Sequence, residues 1–138
     1  MEELFNTMYY YTNNFYDVNL DNYLYATVPG YLHIGLVLLI SSFIISALFY
    51  YLVAPVRKQT LLWFLFSLAN AVINFGYALY YTLTPLINNE IEPDLQWTSL
   101  DCIFFGVTNV IWSFVAFVLI SFIIKWKSIC KYVPFQKF

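Results

Sequence analysis

Residues 100–124 read LDCIFFGVTNVIWSFVAFVLISFII, a run in which Asp101 is the only charged side chain. At 1.5 Å per residue, about twenty helical residues cross the roughly 30 Å hydrocarbon core of a bilayer, so this run is long enough to span a membrane. Thr98 and Asp101 have the spacing of a capping box, in which two residues satisfy backbone N–H groups at a helix start. The sequence therefore predicts a membrane-spanning helix that begins beside Thr98.

Two further apolar stretches, residues 30–54 and 61–83, are also long enough to cross a bilayer. Pro29 suits the first turn of a helix, whereas Pro55 and Pro85 are expected to end the first and second spans, because proline interrupts a helix. We therefore predict an all-α integral membrane protein built as a three-helix bundle.

The composition agrees with a membrane protein. Of 138 residues, 62% are hydrophobic and only 10% are charged, whereas an average soluble domain carries about 25% charged residues. This composition excludes a soluble globular domain, and the net charge of −2 argues against a nucleic-acid partner. The chain divides into an acidic and aromatic N-terminal segment (1–28), a transmembrane domain (29–125) and a basic tail (126–138).

Acidic and basic residues fall on opposite sides of the predicted spans. Residues 1–28 and the connection between the second and third spans contain acids and no lysine or arginine. All six bases lie in the other connection or at the end of the third span and beyond it: Arg57, Lys58, Lys125, Lys127, Lys131 and Lys137. Because lysine and arginine mark the cytoplasmic side, we predict an external N-terminus and a cytoplasmic C-terminus. The predicted inner-face anchors are Arg57, Lys58, Lys125, Lys127 and Lys131.

The N-terminal segment shows a weaker helical pattern. Leu4, Phe5, Met8 and Tyr9 recur at roughly helical spacing, which favours a short amphipathic helix on the outer membrane surface. Many tyrosines in and near this segment are typical of an interfacial aromatic belt, with a partner-binding patch as the alternative. These are Tyr9, Tyr10, Tyr11, Tyr16, Tyr23, Tyr25 and Tyr31.

Polar side chains also occur deep inside the spans. An unpaired amide in hydrocarbon costs several kcal/mol, so each should face protein. Counted along the helices, Asn74 and Asn109 share one level, and Asn70 lies near the level of Ser113. We predict that these residues form polar stripes through which the helices pack, with the lining of a polar path between several copies as the alternative. The stripes comprise Ser42, Ser46, Ser67, Asn70, Asn74, Asn109 and Ser113.

The sequence lacks the groups that catalysis or ion coupling requires. No ionisable side chain lies near the middle of a span, where pumps and carriers place them. His33, near the outer edge, is interpreted as an interfacial anchor within reach of Asp101. Nucleophile-elbow, zinc-protease, P-loop and dinucleotide motifs are absent, and one histidine with two distant cysteines cannot build a four-ligand metal site. We expect no enzyme activity, no cofactor, no metal and no small-molecule substrate.

The leading functional hypothesis is a non-catalytic structural or anchoring subunit of a larger membrane complex. Its expected partners are the lipid bilayer and either other membrane subunits or copies of itself. A bacterial inner membrane is favoured, with an organellar inner membrane as the alternative.

Two other hypotheses come from different classes. In span count, external N-terminus and basic tail, the chain resembles the three-span holins of bacteriophages, a resemblance of topology that implies a pore-forming or membrane-permeabilising protein. The third hypothesis is a small immunity or accessory protein that binds another membrane protein.

Overall fold

The computed structural model describes residues 1–53 and 58–126. Within these ranges the regular secondary structure is helical and includes no strand. Three of the predicted inner-face anchors, Arg57, Lys127 and Lys131, lie outside the described residues, as does Pro55.

Five α-helices follow one another along the chain. They are α1 (Glu2–Tyr10), α2 (Val18–Asn22), α3 (Gly30–Leu48), α4 (Gln59–Ile87) and α5 (Ser99–Lys125). A 3₁₀ turn (Asn13–Phe15) precedes α2, and π-helical turns follow α2 (Tyr23–Thr27) and α3 (Phe49–Val53). Because α3, α4 and α5 are joined in sequence and packed on one another, they form a three-helix bundle.

The three predicted spans are confirmed as helices long and apolar enough to cross a membrane: Gly30–Val53, Gln59–Ile87 and Ser99–Lys125. The protein is therefore a multi-pass membrane protein. We call the end of the bundle that contains Gly30 and Ser99 the acidic end, and the end that contains Gln59 and Lys125 the basic end.

The second helix does not stop at Pro85. It continues to Ile87, with Pro85 in its last turn. A proline there removes only one helical N–H donor, and the chain still closes by a bond from the Asn88 N–H to the Thr84 carbonyl (3.0 Å). The expectation that Pro85 closes the span was therefore wrong by two residues.

The predicted capping box at the start of α5 is confirmed. The Thr98 N–H donates to Asp101 Oδ2 (2.9 Å), and the Asp101 N–H donates to Thr98 Oγ1 (3.4 Å). Both bonds satisfy donors that the first turn of a helix leaves free, and the carboxylate lies at the positive end of the helix dipole.

Replacing Thr98 by alanine is expected to destabilise the protein by about 1 kcal/mol, because it removes the side-chain oxygen of the cap. Reversible unfolding in mixed micelles measures this change. Thr84→Ala is the matched control, since the Thr84 hydroxyl only donates to the Tyr80 carbonyl within α4 (2.6 Å). Equal losses in the two variants would contradict the capping role.

Close packing between α4 and α5 depends on a small residue. A Cβ atom at Gly106 of α5 would lie 2.7 Å from Phe75 Cε2 of α4, so glycine allows the ring to lie directly against the helix. Nearer the basic end, Trp63 of α4 packs on Phe117 of α5, with ring centroids 5.4 Å apart. Helices in lipid associate through such close van der Waals packing.

The predicted N-terminal amphipathic helix forms, but it does not lie on top of the bundle. Helix α1 packs beside α3, with Phe5 and Tyr9 buried against the spans. Gly35 makes this contact possible, because a Cβ atom there would lie 2.2 Å from Phe5 Cδ1. The sequence pattern identified the buried side of α1, whereas its position depends on a glycine in another helix.

Candidate functional site

Asn70 lies at the centre of the bundle and contacts both neighbouring spans. Its amide Nδ2 donates to Ser42 Oγ of α3 (2.8 Å) and to the Ser113 carbonyl of α5 (3.3 Å). Asn70, Ser42 and Ser113 are all fully buried. One side chain of α4 thus joins all three membrane spans by hydrogen bonds.

Asn74, one turn further along α4, continues the network. Its Nδ2 donates to Ser41 Oγ (2.9 Å) and to the backbone carbonyl of Asn70 (2.9 Å). On the other side, Asn109 Nδ2 of α5 donates to the Asn74 carbonyl (2.9 Å). The two asparagines that the depth count placed at one level are therefore in direct contact.

The N-terminal segment enters the same network. The Tyr9 hydroxyl of α1 donates to Asn109 Oδ1 (2.5 Å), and the indole N–H of Trp112 donates to Thr12 Oγ1 (3.2 Å). These contacts make α1 a fourth packed element. Sequence analysis missed Tyr9, because a tyrosine before the first span fits an interfacial belt equally well.

The remaining stripe residues, Ser46 and Ser67, are also buried. Ser67 of α4 is 3% exposed, and Ser46 of α3 is fully buried with no hydrogen-bond partner for its Oγ among the described residues. Asn74 Oδ1 also lacks a partner there. Towards the basic end, Trp63 Nε1 donates to Ser121 Oγ (3.3 Å), so polar contacts between α4 and α5 extend from Asn74 to Trp63 of α4.

At the acidic end, three side chains form a second polar cluster. The hydroxyls of Tyr16 and Tyr31 lie 2.7 Å apart, and the Tyr31 hydroxyl donates to the Asp21 carboxylate. The ring of Tyr31 stacks on that of Tyr9, with centroids 4.8 Å apart. Tyr16 and Tyr31 are almost fully buried, so they are core residues of this end rather than members of an exposed belt.

Tyr16 gives this cluster a pH dependence. Burial raises the pKa of Tyr16 above its ordinary value; the hydrogen bond with Tyr31 acts in the opposite direction, and the charge of Asp21 raises the pKa as well. Since the folded pKa exceeds the unfolded value of about 10, the contribution to stability is complete below about pH 10 and is lost as the pH rises through the folded pKa.

We expect stability to fall above about pH 10, by at most about 1.4 kcal/mol per pH unit for one proton. Unfolding of the wild type and of Tyr16→Phe, measured across the alkaline range, tests this. The slope should be smaller in the variant, because phenylalanine cannot ionise. Identical slopes would show that ionisation of groups other than Tyr16 causes the loss of stability at alkaline pH.

His33 contacts a different residue from the one proposed. Its Nδ1 lies 3.0 Å from the Tyr81 hydroxyl of α4, whereas the Asp101 carboxylate is bonded within its own cap. The exposed imidazole therefore joins α3 to α4 near the acidic end. In the described ranges, no group of three His, Cys, Asp or Glu side chains is arranged to hold a metal ion.

The outward faces of the spans are apolar. Large side chains there are half exposed or more, as expected of surfaces in contact with acyl chains or with other membrane helices. Examples are Ile40, Phe43, Leu65, Val72 and Ile111. Of the two described anchors, Lys58 precedes α4 and Lys125 is the last residue of α5, where its side chain is 2% exposed.

Comparisons with protein-family models, with curated proteins and with solved structures found no match to this chain. The network in the bundle consists of neutral amides and hydroxyls, which join the helices by hydrogen bonds and so stabilise their packing.

Proposed function

We propose that the protein is a non-catalytic structural or anchoring subunit of a larger membrane complex. The observation that carries this proposal is that the polar network is buried inside one chain. Asn70, Asn74 and Asn109 are fully buried and bonded to neighbouring helices, so the bundle holds its own shape. Its apolar outer faces are then free for lipid and for partner subunits.

The same observation weighs against the pore-forming alternative. A pore built from several copies needs polar side chains on the surface where the copies meet. Here the predicted stripe residues face the interior of a single bundle, and Ser42, Ser113 and the three asparagines are fully buried. Opening them to a pore would require breaking contacts such as that between Asn70 and Ser42.

The proposal includes an orientation. We place the acidic end outside and the basic end in the cytoplasm, because in the sequence all six lysines and arginines fall between the first two spans or at and after the end of the third. A bacterial inner membrane is the proposed location, with an organellar inner membrane as the alternative. Cys130 follows the third span in the sequence. If an impermeant thiol reagent added outside intact cells modified Cys130, the opposite orientation would be shown.

A vesicle experiment separates the subunit from the pore. The purified protein, reconstituted into phosphatidylcholine vesicles filled with a self-quenching dye, is expected to cause no more release than empty vesicles. The expectation follows from the burial of the stripe residues inside the described bundle, where they cannot line a conducting path between copies. Release that rises steeply with protein concentration would support the pore and overturn the proposal.

Depletion in the native membrane tests the subunit role directly. Mild-detergent extracts should contain the protein in an assembly of fixed stoichiometry, and depletion should lower the amount of that assembly. The turnover of each remaining assembly should be unchanged, since the subunit is proposed to be non-catalytic. A protein that migrates alone, with no assembly affected by its loss, would contradict the role.

A further inference from the structure

Helix α1 fills only part of the groove between α3 and α5. Next to it the groove continues as an apolar cavity of about 180 Å³, lined by Leu4, Leu38, Leu39, Val115, Leu119 and Ile120 among others. A neighbouring open cavity of about 600 Å³ is lined by Glu3, Thr7, Tyr11 and Trp112 together with apolar side chains. Leu4, Met8 and Trp112 line both cavities, so they form one continuous surface, which we call the α1 groove.

The α1 groove lies at the depth of the bilayer centre. Trp112 is the middle residue of α5, which runs from Ser99 to Lys125, and Leu39 is close to the middle of the span Gly30–Val53. At 1.5 Å per residue, α5 is about 40 Å long and exceeds the roughly 30 Å hydrocarbon core at both ends. Surfaces that contact its central residues therefore face hydrocarbon.

One carboxylate, that of Glu3, lines this surface, and that of Glu2 is its neighbour in the sequence. Glu2 and Glu3 form the first turn of α1 and are exposed. Glu3 lines the open cavity with Trp112, and the next residue, Leu4, lines the apolar cavity with Leu119. Within residues 1–53 and 58–126 the lysine side chains are those of Lys58 and Lys125, and no ion pair joins either to Glu2 or Glu3.

We infer that the α1 groove is a docking surface for a membrane helix of a partner protein that carries a lysine or arginine near the bilayer centre. An apolar helix with one central base would fill the groove with its apolar side chains and would pair its charge with Glu2 or Glu3. Charged side chains at this depth are costly unless they pair or face water. The inference rests on the proposed subunit role and specifies the chemistry of the partner helix.

Charge decides between this occupant and two others. A second copy docked groove to groove would bring four carboxylates together, and like charges repel. A lipid acyl chain would fill the apolar part of the groove but would leave both carboxylates without a counter-charge. A basic partner helix satisfies both parts of the surface.

The experiment uses synthetic membrane helices as probes. The full-length protein and a leucine-based spanning peptide, each labelled for energy transfer, are reconstituted into phosphatidylcholine vesicles. A peptide with arginine at its centre is expected to associate on the order of tenfold more tightly than the same peptide with leucine there. The advantage should disappear in the double variant Glu2→Gln/Glu3→Gln and persist in the control Glu90→Gln/Glu92→Gln.

Each other outcome has a defined meaning. Equal association of the arginine and leucine peptides would overturn the inference, as would an arginine advantage that survives in the Glu2→Gln/Glu3→Gln variant. Self-association of the labelled protein that excludes the peptide would identify a second copy as the occupant and would also overturn it. Dye release from the same vesicles is measured separately, so failure of the subunit proposal is distinguished from failure of this docking surface.

Discussion

Replacing Gly35 by leucine is expected to displace α1 from the bundle. A Cβ atom at this position would lie 2.2 Å from Phe5 Cδ1 and 2.6 Å from Phe5 Cγ. Phe5 is almost fully buried, so its ring or α1 as a whole must shift to admit a leucine side chain. Overpacking of this kind costs about 1–3 kcal/mol, and leucine is expected to reach the upper end of that range.

Hydrogen exchange of the α1 amides measures the effect. A loss of about 3 kcal/mol corresponds to a fall in protection of more than a hundredfold. The matched control is Gly76→Leu, because a Cβ atom at Gly76 of α4 has nothing within 4 Å. Unchanged α1 protection in Gly35→Leu would mean that α1 is not held by this contact in a bilayer.

A pair of cysteines at positions 5 and 35 tests the same contact by cross-linking, because the disulfide forms only if α1 is docked on α3. Because Phe5 Cγ lies 2.6 Å from the Cβ position at Gly35, cysteines at both positions would place their Cβ atoms at most about 4 Å apart, within disulfide range. Oxidation in vesicles should link Phe5→Cys to Gly35→Cys. Phe5→Cys combined with Gly76→Cys should remain unlinked.

The spans were predictable because membrane insertion depends on properties that a sequence displays directly. Length, apolar composition and the Thr98 cap indicated where α5 begins, and the structure agrees to within one residue. Pro85 was misread because a proline removes its own N–H donor but does not by itself end a helix. Helix α4 continues to Ile87, and the Asn88 N–H still donates to the Thr84 carbonyl.

Depth counting placed the asparagines at matching levels because helix rise is constant along a straight span. It could not show which atoms meet. The contact between Tyr9 and Asn109 joins residues 100 positions apart in sequence, and no periodicity within either helix encodes it. The position of α1 likewise depends on Gly35 and Phe5 fitting together, which is a property of two surfaces rather than of one pattern.

Replacing Asn70 by leucine is expected to destabilise the bundle by about 2 kcal/mol. The change removes the bonds to Ser42 Oγ and to the Ser113 carbonyl, together with the bond that Asn70 Oδ1 accepts from Asn74 Nδ2 (3.2 Å). Hydrogen bonds between membrane helices are worth about 0.6 kcal/mol each on average, so the two that join α4 to α3 and α5 account for about 1.2 kcal/mol. The bond within α4 from Asn74 and the burial of unpaired partner groups account for the rest. Leucine has a similar size, which keeps packing changes small.

Reversible unfolding in mixed micelles, combined with a double-mutant cycle, separates these bonds from packing. Ser42→Ala removes one acceptor only, and its coupling energy with Asn70→Leu should be about 0.6 kcal/mol. The control Leu68→Ala changes a side chain that is 60% exposed on the outer face of α4, and its coupling with Asn70→Leu should be near zero. A zero coupling between Asn70 and Ser42 would mean that the apolar contacts around them hold the three spans together. In that case the buried polar network would not be what makes the subunit self-contained, and the proposed function would lose its main support.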